Sequence, residues 1–309
     1  MNKLFFLLLL ILYKGLAIAS AQDLQIFDLR SYEVDSTHSI AFISLSEIYP
    51  LSENADSLAT PDLSDMEVEN ASNFNYIILD SAYRKRFLRE TNVSETDKLF
   101  VYDYATNSFH VFVVKELKVV ACLNIYGGDW PYSQYDYMIG FELNQKDLKG
   151  FDEYFTSSFV HIGKENPFVR GKVEPIIWKK IETGSFPYTE YPNYDTLYAG
   201  KCVKGDAYTF QSESLNYFVQ DYYRIADNWP ALKRLVVIDG KTMETVCDKL
   251  FYSGESASFA PLEEQWTGKL FKNRSPVIFG FHYFTFGCPS ITFLNTDESD
   301  VYINCDNRH

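Results

Sequence analysis

Apolar side chains return at every second residue in QYDYMIGFEL, residues 134–143. Tyr135, Tyr137, Ile139, Phe141 and Leu143 share one face, and Gln134, Asp136, Met138, Gly140 and Glu142 share the other. A period of two is the signature of a half-buried β-strand, because a helix repeats its apolar stripe every three to four residues. Strand-like runs recur at LFVYDYATN (99–107), SFHVFVVKEL, KVVACLNIY, LVVIDGKTM (235–243), ETVCDKLFYSG and SPVIFGFHYFTFG. Aromatic residues make up 17% of the chain and hydrophobic residues 46%, enough apolar surface to build a folded body.

Two segments carry a helical period. In DSAYRKRFLRET (80–91), Asp80 or Ser81 can cap the start, while Tyr83, Phe87 and Leu88 share a face. In SLNYFVQDYYRIADNWP (214–230), Leu215, Phe218, Val219, Tyr222, Ile225, Ala226 and Trp229 recur at three- and four-residue steps. Ser214 can cap this second segment, and Pro230 stops it. Each segment precedes a strand, an Asp-x-x-Thr turn and another strand. The turns are held by Asp103 and Asp239, 136 residues apart.

The expected fold is α+β, mostly antiparallel β-sheet with a few helices, with two related helix-plus-meander units at 76–150 and 210–295. Two unrelated hairpins that happen to share a common turn are the alternative. The corresponding division is a first α+β unit at 22–150 and a second at 151–309 with a connecting segment at 151–209. The first unit includes an acidic loop at 51–73. The Tyr/Pro-rich segment 187–198 reads as an extended surface crossing.

The amino end reads as an export signal. Lys3 gives a positive start, LFFLLLLIL an apolar core, and Ala19 and Ala21 the small residues of a cleavage site, so cleavage is expected after Ala21. The apolar run is shorter than the roughly 20 residues that a membrane span needs, and no later stretch is long enough either. Cleavage removes Lys3 and Lys14 and no acid, which takes the formal charge from −14 to −16. So acidic a surface repels phosphate backbones and excludes nucleic acid as a natural partner. The mature chain is expected to be soluble and secreted or periplasmic, with no transmembrane segment.

Export permits disulfides. Of the five cysteines, Cys288 and Cys305 flank a strand, an acidic turn and a strand, and form the candidate bridge. Cys122 lies in an apolar run and reads as a buried thiol. A Cys202–Cys247 bridge is a weaker candidate. No Cys-x-x-Cys occurs, so redox and zinc-ribbon chemistry find no support.

Catalytic constellations are mostly lacking in the sequence. Ser256 in YSGESASFAPLEEQ resembles a nucleophile turn, but Ser258 stands where the second glycine belongs, and Glu264 and His282 follow too closely for an α/β-hydrolase. His282 and His110 sit among aromatic and apolar neighbours and read as structural. His161 and Glu165 have metal-ligand spacing only on a helix, which Gly163 and Pro167 oppose. The acids Asp62, Asp65, Glu67 and Glu69, and also Asp297, Glu298 and Asp300, lack the spacing of a calcium-binding EF-hand. No phosphate-cradling glycine loop occurs. No cofactor, catalytic residue or metal site is expected.

Trp130 and Tyr132 stand apart from these. They lie in a loop after Gly127 and Gly128, where aromatic rings can stack on a sugar or a partner's surface and Asp129 can accept a hydroxyl proton. The alternative is a tryptophan folded back over the end of the sheet. The expected function is an exported, non-enzymatic binding or interaction protein whose partner is a protein or a glycan. An exported hydrolase using paired carboxylates on a sugar or peptide is the alternative.

Overall fold

Alternating apolar runs cannot bury their side chains alone, and the chain pairs them into extended sheets. The computed structural model describes residues 24–67, 69, 73–188 and 200–307. The chain opens with β1 (Ile26–Asp28), β2 (Arg30–Asp35), β3 (His38–Ser44) and β4 (Tyr76–Ile78), then forms α1 (Ser81–Glu90). Next come β5 (Lys98–Asp103), β6 (Ser108–Val113), β7 (Lys118–Leu123), β8 (Tyr137–Leu143) and β9 (Ser158–Gly163). The central strands are β10 (Val173–Pro175), β11 (Lys179–Ile181), β12 (Cys202–Ser212), β13 (Leu215–Arg224), β14 (Pro230–Asp239) and β15 (Thr245–Tyr252). The chain ends with β16 (Ala257–Phe259), β17 (Trp266–Gly268), β18 (Val277–Phe279), β19 (His282–Phe284), β20 (Ser290–Phe293) and β21 (Val301–Asn304).

A nine-stranded sheet runs in the order β10-β17-β18-β20-β21-β1-β9-β5-β6. Its first five strands come from residues 173–304 and its last four from residues 26–163, joined where β1 pairs with β21 in parallel. A five-stranded sheet has the order β2-β3-β8-β7-β4, and a second is the meander β11-β12-β13-β14-β15 with a central β13. A short ribbon pairs β16 with β19.

Both faces of the nine-stranded sheet are covered. In β5, Leu99 and Val101 join a core with Ile43, Ile139, Phe141 and the α1 residue Phe87, while Phe100 and Tyr102 join another core with Ile26, Phe159 and Ile303. The β2-β3-β8-β7-β4 sheet also carries a small cluster on its far face, where Phe42, Val120, Cys122 and Met138 meet. A further core joins Tyr217, Val219, Leu235 and Val237 of the meander to Ile278, Phe281 and Leu294.

The structure bears out several expectations and corrects others. The β-rich, mostly antiparallel architecture is present. So is the first helix, where the Asp80 carboxylate accepts from the N–H groups of Ala82 and Tyr83 at 2.8 and 3.2 Å. The second helix is not. Residues 215–224 are strand β13, Ser214 lies in the turn after β12, and Pro230 opens β14. The two helix-plus-meander units are therefore corrected as well. The first divides between two sheets, with β5 and β6 in the nine-stranded sheet and β7 and β8 in a five-stranded one, and the second has no helix.

Strand β8 exists, but it is not half-exposed, because Met138 and Gly140 are buried as well as Tyr137, Ile139 and Phe141. Tyr135 falls outside the strand, in a single 3₁₀ turn at Gln134–Asp136. The described part of the acidic loop 51–73 is anchored at several points. Ala59 and Leu63 are buried, the Gln134 side chain bonds Ser52 O at 2.7 Å and Ala59 N at 2.9 Å, and Arg86 donates to Leu58 O.

Cys288 and Cys305 form a disulfide with Cα atoms 5.6 Å apart, and Cys122, Cys202 and Cys247 are buried free thiols. Residues 1–21, with the expected cleavage after Ala21, lie outside the described residues, as does most of 187–198. Among the described residues no helix is long and apolar enough to cross a membrane.

Candidate functional site

The loop between β7 and β8 is built on one carboxylate. Asp136 Oδ1 accepts from Gly128 N at 2.6 Å, and Oδ2 accepts from Ser133 N at 2.7 Å and Ser133 Oγ at 2.8 Å. Burial raises the Asp136 carboxyl, but these donors outweigh it and hold the group below the ordinary carboxylate range. At the other end, Asn124 Oδ1 accepts from Tyr126 N at 3.0 Å and Asn124 O from Gly127 N at 2.8 Å. The glycine pair lets the chain pass close to Asp136, since a Cβ on Gly128 would lie 3.2 Å from Asp136 Oδ1.

Trp130 and Tyr132 fix the loop from inside. The Trp130 ring stacks on Phe74 with centroids 5.6 Å apart, and Tyr132 stands edge-on to Trp130 at 5.3 Å and to Tyr137 at 6.2 Å. Both rings pack against the largest core, and Tyr137 donates to Phe74 O at 2.8 Å. The Trp130–Pro131 peptide bond is cis. Of the three residues singled out in the sequence, Asp129 alone points to solvent.

The outward face is formed by other residues. Ile125 is 84% exposed, Tyr126 68% and Tyr135 50%. Tyr135 donates its hydroxyl to Glu53, which raises the phenol above its usual range. Ile125 and Tyr126 continue the apolar run of β7 past its last residue, Leu123, into the glycine turn. That overrun is the sequence signal that identifies them.

The other sequence candidates do not assemble into catalytic groups. Ser256 O accepts from Thr285 N at 3.0 Å, while His282 faces Phe259 further along the ribbon, so the two do not meet. Glu264 accepts from the Tyr283 hydroxyl instead. His161 lies on β9 rather than a helix and bonds Gln25 O at 3.0 Å through Nδ1; burial holds it below the usual imidazole range. Glu298 accepts from Ser275 N and Arg274, and Asp300 pairs with Lys249. A metal-like grouping of Glu47, Cys288 and Cys305 rests on the two disulfide sulfurs, which carry no thiolate charge.

Among the described residues, two clefts combine a histidine with an acid. One, of about 550 Å³, lies between the end of α1 and β9 and holds His161, Lys164 and one acid, Asp97, whose carboxylate accepts from Ser94 N at 2.8 Å. The other, of about 290 Å³, lies beside His282 and holds one acid, Asp300. Neither cleft brings two carboxylates to face each other, the arrangement that glycoside hydrolysis requires. The chain matches no protein-family model, curated protein or solved structure with which it was compared.

Proposed function

We propose that this chain is an exported, non-enzymatic binding protein that engages its partner through the 124–136 loop. The observation that carries the reading is the division of labour within that loop. Trp130, Tyr132 and Asp136 hold it against the core, while Ile125, Tyr126, Asp129 and Tyr135 face outward. Exposed apolar and aromatic side chains on a fixed frame supply contact area with little ordering cost on binding. The net charge favours a neutral or cationic partner, whether protein or glycan.

Export draws on the apolar amino end with its cleavage site after Ala21, and the Cys288–Cys305 bridge suits an oxidising compartment. The hydrolase alternative needs a pair of carboxylates across a cleft, and the single acids of the two clefts do not favour it.

The test is capture from the native host's extracytoplasmic fraction and on a glycan array, using the mature chain. Ile125→Ser with Tyr126→Ser should abolish capture while circular dichroism shows the fold retained, because both side chains are mostly solvent-exposed. Capture that persists in this double variant refutes the loop as the binding surface. Turnover of a broad substrate panel that is lost on substitution of one Asp or Glu refutes the non-enzymatic reading.

A further inference from the structure

The 290 Å³ cleft beside His282 combines three features that no loop-mediated contact needs. First, its wall holds a charge-neutral polar group. Lys249 Nζ pairs with Asp300 Oδ2 and donates to Thr292 Oγ1 at 2.9 Å, and Thr292 in turn donates to Asp300 at 3.2 Å. The triad therefore offers an ammonium donor and a carboxylate acceptor side by side with no net charge. Second, aromatic rings line the rest of the cleft. Phe251 and Phe281 stack at 4.2 Å with almost parallel planes, and Tyr252 and Phe284 remain 39% and 38% exposed.

Third, the cleft wall holds an unsatisfied acceptor. The His282 ring bonds the backbone of Tyr252, and burial together with nearby Lys233 holds the ring below the usual imidazole range. The Nε2 atom of this ring is buried without a hydrogen-bond partner among the described residues. A buried acceptor of this kind is destabilising unless something donates to it.

We infer that this cleft is a binding site for a neutral pyranose sugar. A pyranose presents an apolar C–H face that stacks on an exposed ring, here Phe284 or Tyr252. Its neighbouring hydroxyls each donate and accept, which matches the paired Asp300 and Lys249, and a further hydroxyl can donate to His282 Nε2 after a small ring shift. An anionic ligand would meet Asp300 and the acidic surface, and a cationic one would meet Lys249. A wholly apolar ligand would leave the polar triad desolvated. The volume, about 290 Å³, lies just below the roughly 300–1,000 Å³ range of ligand pockets, which suits a single ring rather than a chain.

The site is separate from the 124–136 loop, and its test does not depend on that loop. The mature chain is titrated with methyl α- and β-pyranosides of the common hexoses up to about 10 mM, a range that captures millimolar affinity. Ligand-observed saturation-transfer NMR and calorimetry provide the readouts. At least one neutral glycoside should bind, and Phe284→Ala, at an exposed ring, should weaken it about tenfold. Asp300→Asn should weaken it at least as much, with circular dichroism used to verify that the variant folds. Tyr154→Ala, at an exposed aromatic residue outside the cleft, should leave binding unchanged. The proposal is overturned if no neutral glycoside binds, if binding survives Phe284→Ala and Asp300→Asn, or if a uronic acid or amino sugar binds more tightly than its neutral counterpart.

Discussion

Asp103 and Asp239 hold the same corner of two hairpins 136 residues apart, yet Asp103 is fully buried and Asp239 only half-buried. Each carboxylate accepts from two backbone N–H groups of its own turn, those of Ala105 and Thr106 in one case and Lys241 and Thr242 in the other. Asp103 does more. It accepts from Ser157 Oγ and from Asp152 N, both at 2.8 Å, which ties the 152–157 turn to the β5–β6 hairpin. Asp103→Ala leaves four donors without an acceptor and should destabilise the chain by about 3 kcal/mol. Asp239→Ala should lower the denaturant midpoint measurably less. Urea unfolding of the two variants checks the difference, and equal midpoint shifts would contradict it.

Gly140 lies where β8 crosses closest to β3. A Cβ there would sit 1.8 Å from the carbonyl oxygen of Ile43 and 3.0 Å from Ser44 Cα. Both neighbours are backbone and cannot rotate away. Gly140→Ala should therefore cost at least about 3 kcal/mol through displacement of the β3–β8 ladder. A near-wild-type melting temperature would show that the two strands can separate freely.

How legible each strand was in the sequence depended on which of its faces the fold covers. The alternation in residues 137–143 identified β8, but its polar parity holds Met138 and Gly140, which a second layer of side chains buries. Strand β13 failed for the same reason taken further. As the central strand of its sheet it buries Tyr217 and Val219 in one core, Tyr222 in another, and packs Phe218 against a third. With both parities apolar, the sequence satisfies a step of three or four as readily as a step of two. Its density of Tyr, Phe and Val was the signal that favoured a strand. The loop site was legible in position only. Nothing in DWPY distinguishes a ring that stacks on a ligand from one that stacks on Phe74, because Phe74 lies 56 residues away in the chain.

The Cys288–Cys305 bridge closes a loop across a sequence separation of 17 residues, so its removal should cost about 3 kcal/mol through the entropy of the unfolded chain. The bridge is reinforced locally, because Arg30 donates to Cys305 O and Ser44 donates to the Asp306 carboxylate. Cys288→Ser with Cys305→Ser should lower stability by that amount and leave the fold intact. Thiol titration gives an independent check. The native protein should react slowly, because Cys122, Cys202 and Cys247 are buried. Denaturation without reductant should release three thiols, and reduction should release all five. Five thiols without reductant would exclude the bridge.

Acid should loosen the 124–136 loop through Asp136. Its folded carboxyl is held below the ordinary value near 4, so the stabilisation it provides is fully present above that value. It is lost progressively as the pH falls through the depressed folded value, when Gly128 N and the Ser133 donors lose an ionised acceptor. The Trp130 emission, taken as the difference between the wild-type spectrum and that of Trp130→Phe, should stay constant from neutral pH to about 4 and shift toward that of a solvated indole below it. Asp136→Asn keeps the size of the side chain but removes the charge, so its spectrum at neutral pH should already resemble the acid form of the wild type. Partner capture through the exposed Ile125 and Tyr126 should weaken in parallel, since a loosened frame must be reordered on binding. An Asp136→Asn variant that keeps both the neutral emission and full capture would show that Trp130 and Tyr132 alone hold the loop, and that the carboxylate is incidental to it.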